Sequence, residues 1–167
     1  MKSVKLGEHK FQEYLSAEVI ANKVAALGAK INNDYTSDDP PIVIALLNGA
    51  FIFAADLCRQ FDFECQLQLL RVSSYKGMES TGKVKIDHDA EPDMNNRHVI
   101  IVEDIVDTGN TLAAYLPTLK TKGAKSVKVC TLLLKPEAVQ HDLELAYVGF
   151  EIPNEFVIGY GLDYNGR

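Results

Sequence analysis

Glu103, Asp104 and Asp107 put three carboxylates into five residues, and Thr108-Gly109-Asn110-Thr111 follows at once. Clustered carboxylate oxygens suit a hard divalent cation or the hydroxyls of a sugar. Asp107, at the turn itself, is either a helix cap or an acid–base group beside a reacting atom. The amides and hydroxyls of a Thr-Gly-Asn-Thr turn can wrap a phosphate, and Gly109 allows close backbone approach. Together these residues describe a sugar-phosphate site. Taken alone, Glu103-Asp104 also reads as a charged strand end paired with lysines, so the flanking elements decide between the two.

Those flanks favour a site. Val99-Ile100-Ile101-Val102 is an apolar run of the kind buried on both faces of a parallel sheet. The acids then stand at the carboxyl end of a strand, where open α/β sheets bind ligands. Neighbours on a strand point to opposite faces. Either one of Glu103 and Asp104 faces the ligand while the other braces the loop, or the strand ends there and both reach it. A helix from about Thr111 to Lys122, closing near Gly123, puts free N–H groups at the turn. Pro117 predicts a kink or a late start for that helix. The chain has no GxxxxGK[ST] and no strand-linked GxGxxG, which argues against a nucleoside-triphosphate loop or a dinucleotide site.

The rest of the pattern supplies a sheet to carry this turn. Ser16 is the expected N-cap of a helix in which Val19, Ile20, Val24, Leu27 and Ile31 recur at helical spacing. After Pro40-Pro41, Ile42 to Leu47 reads as a strand, Asn48-Gly49 as a turn and Ala50 to Arg59 as a helix. Phe63 to Val72 and Val127 to Leu134 read as further strands. Tyr147 to Phe150 and Phe156 to Ile158 are short apolar segments. Residues 73–97 are polar and aperiodic, and fit either a lid or a solvated hairpin. Alternating strands and helices predict an α/β fold with a mostly parallel, doubly wound sheet.

The bulk properties are consistent with one soluble domain spanning 1–167. The chain is 47% hydrophobic and 24% charged, and its net charge of −6 comes from 17 basic and 23 acidic residues. That balance argues against nucleic acid as the partner. No apolar run has the length of a membrane span or the form of a signal peptide. Cys58, Cys65 and Cys130 make no CxxC pair and read as reduced, mostly buried thiols of a cytoplasmic protein.

Val102-Glu103-Asp104-Ile105-Val106-Asp107-Thr108-Gly109-Asn110-Thr111-Leu112 resembles the phosphoribosyl-pyrophosphate motif of type I phosphoribosyltransferases, and more narrowly their hypoxanthine-guanine branch. Further resemblances follow in the family's order. Leu47-Asn48-Gly49-Ala50 is similar to its pyrophosphate loop, and Ser73-Ser74-Tyr75 opens what resembles its mobile catalytic loop, about 73–85. Lys135, Val148 to Pro153, Phe156 to Tyr160 and Leu162-Asp163-Tyr164 resemble its purine-binding end. The likeness runs from about Ser16 to Tyr164.

The resemblance implies the type I fold, with a small hood from about 136–167 and part of the N-terminus. It implies Mg²⁺-dependent transfer of ribose 5-phosphate from phosphoribosyl pyrophosphate to N9 of hypoxanthine, with guanine as a second base. Glu103 and Asp104 would hold the ribose hydroxyls directly or through Mg²⁺, with Asp163 near the metal–pyrophosphate end. Asp107 would lie near N7 of the purine and assist proton movement. Asp107, Thr108, Gly109, Asn110 and Thr111 would bind the 5′-phosphate, and Leu47, Asn48 and Gly49 the pyrophosphate. Lys135 would donate to the 6-oxo group, Phe156 would stack on the base, and the Val157 backbone would read its edge. Without the family context, Lys135 reads equally as a surface lysine and Phe156 as core.

The family also implies a homodimer or homotetramer. Two alternatives are a xanthine-preferring relative and a regulator of the same fold that binds nucleotides without turnover. Asn48 stands where many relatives have lysine, and Asn110 replaces a lysine common in some. Relatives usually carry an arginine six residues after the aspartate matched by Asp163; Arg167 lies four after it and is assigned no role.

Overall fold

The computed structural model describes residues 3–6, 8–74, 84–86 and 91–162. The elements follow in the order β1 (Ser3–Leu6), β2 (His9–Gln12), α1 (Ala17–Asp34), β3 (Ile42–Leu47), α2 (Phe51–Cys58), β4 (Gln66–Ser74), β5 (Val84–Ile86), β6 (His98–Val106), α3 (Asn110–Thr121), β7 (Ser126–Leu134) and β8 (Tyr147–Glu151). Six strands form one sheet in the order β5-β4-β3-β6-β7-β8, and β1-β2 form a separate antiparallel pair. Within the large sheet β4, β3, β6, β7 and β8 are parallel, while β5 pairs antiparallel with β4. The expected doubly wound, mostly parallel α/β sheet is what forms.

Apolar runs bury both faces of the middle strands. In β3, Ile42, Ile44 and Leu46 face one core cluster, with Leu112, Tyr115 and Leu119 of α3. Val43 and Ala45 face the other, with Val24, Leu27 and Ile31 of α1 and Phe53, Ala54 and Leu57 of α2. Helices therefore cover both sheet faces. From β3 the chain crosses through α2 to β4 on one side, and from β6 through α3 to β7 on the other. The sheet order reverses between β3 and β6, and the carboxyl ends of these two strands flank the crevice such a reversal opens.

The local signals mostly act as read. Ser16 caps α1, its hydroxyl accepting from the Val19 N–H at 3.3 Å. The predicted late start of α3 is not observed: the helix begins at Asn110 and runs through Pro117 to Thr121. The Thr118 hydroxyl donates to the Tyr115 carbonyl at 2.8 Å, so a local side chain serves backbone near the proline that lacks an N–H. In the 73–97 stretch, Val72, Ser73 and Ser74 pair with Ile86, Lys85 and Val84, which is a hairpin ladder. Residues 75–83, which carry the lid expectation, lie outside the described residues.

The thiols are less buried than expected. Cys130 is fully buried, but Cys58 and Cys65 are half-buried. The Cys58 thiol nearby draws the Cys65 thiol down to about 7 against the opposing effect of burial. No helix among the described residues is long and apolar enough to cross a membrane.

Candidate active site

The site begins with the length of β6. The strand continues past Val102 to Val106, so Glu103 and Asp104 both lie within it and face opposite ways. Glu103 lines a small pocket of about 90 Å³ together with residues 105–112. Asp104 lines a larger cavity of about 1090 Å³ on the α1/α2 side, with Phe156, Val157, Tyr160 and Gly161. Burial pushes the Glu103 carboxyl well above its ordinary range, and the Asp104 charge pushes it the same way. Burial also raises Asp104, against the backbone N–H groups of Ile105 and of its own residue. Each carboxyl is held against its own ionisation, so a cation beside either one would stabilise its charged form; facing opposite ways, the two open on different pockets.

The loop after β6 wraps the small pocket at the start of α3. Gly109 is the N-cap of α3 with φ of 80°, a left-handed conformation that glycine adopts freely. Its carbonyl accepts the first helical N–H, from Ala113, at 2.9 Å. A side chain at Gly109 would also collide with Leu143, whose Cδ1 would stand 2.6 Å from the new Cβ. Thr108, Gly109, Asn110 and Thr111 line the small pocket with Asp107, so the predicted phosphate residues are brought together.

Asp107 is half-exposed and does not cap α3, since the helix has no side-chain cap. The Lys135 ammonium donates to Asp107 Oδ2 at 2.9 Å. Lys135 itself is 6% exposed, so the surface reading of this lysine is wrong. Its backbone N–H donates to the Val106 carbonyl at 2.9 Å, which fixes the end of β7 against the end of β6. Phe156, by contrast, is 63% exposed, so it is not core either. Its ring centroid lies 6.3 Å from that of Phe11, on the β1-β2 hairpin.

Leu47, Asn48 and Gly49 close the other flank at the end of β3. The Leu47–Asn48 peptide is cis. The Asn48 carbonyl accepts from Phe51 N–H at 3.2 Å, so α2 starts directly out of this loop. Asp104 lies so near Gly49 that a Cβ there would stand 1.8 Å from Oδ2. Gly161 packs on the same loop: a Cβ on it would stand 2.5 Å from the Gly49 carbonyl oxygen.

Two contacting residues, Phe11 and His141, escaped the sequence reading, and Tyr160 entered it only as part of the purine-binding end. Tyr160, in the turn bridged by Gly159 and Leu162, donates its hydroxyl to Asp56 of α2 at 2.6 Å. Phe11 meets Phe156, and His141 meets Asn110. None is signalled by spacing, because each contact joins distant segments. Ser73 and Ser74 are placed only as backbone of β4. Tyr75 and Asp163 lie outside the described residues, and among the described residues no group of three or more metal-ligating side chains occurs.

Comparison with known proteins agrees with this fold. The phosphoribosyl transferase domain family matches residues 11–165. The hypoxanthine phosphoribosyltransferase of Buchnera aphidicola is 44% identical over 159 residues, covering 94% of this chain and 90% of that protein. The hypoxanthine-guanine phosphoribosyltransferase of Mycobacterium tuberculosis H37Rv is 45% identical, covering 92% and 79%. A crystal structure of a hypoxanthine phosphoribosyltransferase from Staphylococcus aureus superposes with a TM-score of 0.85 at 40% identity, over 92% of this chain and 83% of that one. Matched along nearly its whole length in sequence and in fold, this chain belongs to the phosphoribosyl transferase domain family.

Proposed function

We propose that the protein transfers ribose 5-phosphate from phosphoribosyl pyrophosphate to N9 of hypoxanthine, with guanine as a second base, in purine salvage. The products are IMP or GMP and pyrophosphate. The names of its relatives support the reaction class and the base. The observation that carries it is the Lys135–Asp107 pair at 2.9 Å, which sets a buried donor beside the carboxylate that opens the proposed phosphate loop.

The residues divide the work as follows. Lys135 only donates, and a 6-oxopurine offers an acceptor at O6. Adenine would leave the lysine facing an amino group, which disfavours it. Asp107, already in contact with that lysine, takes up the proton that the purine ring loses. The bond from ribose C1 to the pyrophosphate oxygen breaks as the bond from C1 to N9 forms. Residues 107–111 hold the 5′-phosphate at the N-terminus of α3. Phe156 stacks on the base and the Val157 backbone reads its edge. Leu47, Asn48 and Gly49 receive the pyrophosphate through backbone groups.

Glu103 and Asp104 would hold the ribose hydroxyls directly or through Mg²⁺, with Asp163 near the metal–pyrophosphate end. The cation, when bound, neutralises charge gathering on the leaving group. Water must be kept from the activated ribose, and in this reading the segment opened by Ser73-Ser74-Tyr75 does so. A homodimer or homotetramer and a cytoplasmic location belong to the same reading. The test is direct: purified protein with Mg²⁺, phosphoribosyl pyrophosphate and hypoxanthine forms IMP and pyrophosphate in equal amounts. Saturable nucleotide binding without turnover would favour the regulator instead.

A further inference from the structure

The segment after β7 runs along the outside of the phosphate loop. Lys135 N–H donates to the Val106 carbonyl at 2.9 Å, and Gln140 N–H to the Thr108 carbonyl at 3.0 Å. The imidazole Nε2 of His141 faces Asn110 Oδ1 at 2.6 Å. An amide oxygen only accepts, so Nε2 carries the proton and donates. Leu143 completes the strap by packing against the face of Gly109 that a side chain would otherwise fill. Residues 135–143 thus touch the loop at positions 106, 108, 109 and 110.

This strap lies outside the small pocket, which is lined by Glu103 and residues 105–112. A loop that offers amides to a phosphate needs its carbonyls and polar side chains engaged elsewhere. The Thr108 carbonyl is engaged by Gln140 and the Asn110 side chain by His141. Asn110 is also the first residue of α3, so a bond to its side chain fixes the point where the loop becomes helix. Lys135, at the other end of the strap, contacts Asp107.

We infer that His141 is a positioning residue for phosphoribosyl pyrophosphate, clamping Asn110 so that the 107–111 loop is ordered before the 5′-phosphate arrives. Ordering a loop in advance lowers what binding must supply. The inference rests on the reading of 107–111 as the 5′-phosphate loop. It places a role on a histidine 31 residues from its partner that lines neither the large cavity nor the small pocket.

The test uses the intact enzyme and four variants: His141→Ala, His141→Gln, Asn110→Ala and the double variant His141→Ala/Asn110→Ala. His141→Ala raises KM for phosphoribosyl pyrophosphate on the order of three- to ten-fold, the range lost with one hydrogen bond. Its kcat and its KM for hypoxanthine stay within two-fold. His141→Gln, whose amide can still donate to Asn110, keeps most of the wild-type KM. The double variant is no worse than the poorer single one. Calorimetric titration with ribose 5-phosphate shows the same order of affinities without turnover. An unchanged KM in His141→Ala, equal losses in both substrates, or additive effects in the double variant would overturn the inference. Wild-type protein that neither makes nucleotide nor binds ribose 5-phosphate would instead remove the loop reading, and the clamp with it.

Discussion

The Asp104 carboxylate occupies the space that a side chain at position 49 would need: a Cβ on Gly49 would stand 1.8 Å from Oδ2 and 2.5 Å from Cγ. The residue proposed for ribose and metal is thus packed against the loop proposed for pyrophosphate. The end of β3 and the end of β6 meet at this contact, across the reversal of the sheet.

Gly49→Ala therefore cannot leave Asp104 where it is. The clashing atoms end a side chain that lines the large cavity, so the carboxylate turns aside at a cost of about 1 kcal/mol. Activity falls further than the melting temperature reports, because the displaced group belongs to the site. In a background of Asp104→Ala the added methyl finds room, and Gly49→Ala then changes stability by less than in the wild type. Thermal melts of the four proteins in this cycle check the coupling; equal shifts in both backgrounds would mean that the contact does not constrain the loop.

Lys135→Met separates base recognition from folding. The ammonium is buried and contacts only the half-exposed Asp107 among the described ion pairs, and a methionine fills a similar volume. The variant should melt within a few degrees of wild type. Its KM for hypoxanthine should rise by tens of fold, since a hydrogen bond from a charged group contributes about 1.5–3 kcal/mol. KM for phosphoribosyl pyrophosphate should change much less. Steady-state kinetics with each substrate varied in turn give the split.

Glu103→Gln tests the carboxylate pair through stability. Glu103 is raised in the folded state by burial and by Asp104, so its ionisation favours unfolding. Below the ordinary glutamate value of 4.5 both states are neutral at this position and no penalty exists. As pH rises past that value the unfolded chain ionises first, and the penalty grows until the folded value is reached. Metal-free Glu103→Gln should therefore be more stable than wild type at pH 7, with the advantage vanishing near pH 4. Mg²⁺ should raise the melting temperature of wild type and have less effect on the variant. A Mg²⁺ shift that survives in both Glu103→Gln and Asp104→Asn would place the cation elsewhere.

Tyr160→Phe removes the bond from the C-terminal turn to Asp56 and leaves the ring in place. Loss of one such bond costs about 1 kcal/mol. Because Gly161 packs on the Gly49 carbonyl, the loosened turn should raise KM for phosphoribosyl pyrophosphate several-fold while folding is retained. Kinetics and a melting curve on the same preparation distinguish this from a general loss of stability.

Much of the scaffold was legible because the central strands are buried on both faces and leave unbroken apolar runs, as at Ile42–Leu47 and Val99–Val102. The cap at Ser16 and the turn at Gly109 were legible from local chemistry. The β1-β2 hairpin was not, since its residues are mostly exposed and its four-residue strands are too short to carry a clear periodic signal. The length of β6 was missed because two adjacent acids look like a strand end, whereas the ladder to β7 continues through Ile105 and Val106. Tyr160–Asp56, Phe11–Phe156 and His141–Asn110 depend on how distant segments come together, in one case through a turn where Tyr160 has φ of 52°. No pattern along the chain reports such contacts.

The most direct test of the central claim is the rate of nucleoside monophosphate formation from hypoxanthine, guanine, xanthine and adenine, each with phosphoribosyl pyrophosphate and Mg²⁺, for wild type and Asp107→Asn. The account predicts turnover of hypoxanthine, none detectable with adenine, and a loss of at least a hundred-fold in kcat for a folded Asp107→Asn, the range of general acid–base catalysis. Adenine as the best substrate, or an Asp107→Asn enzyme as fast as wild type, would contradict it.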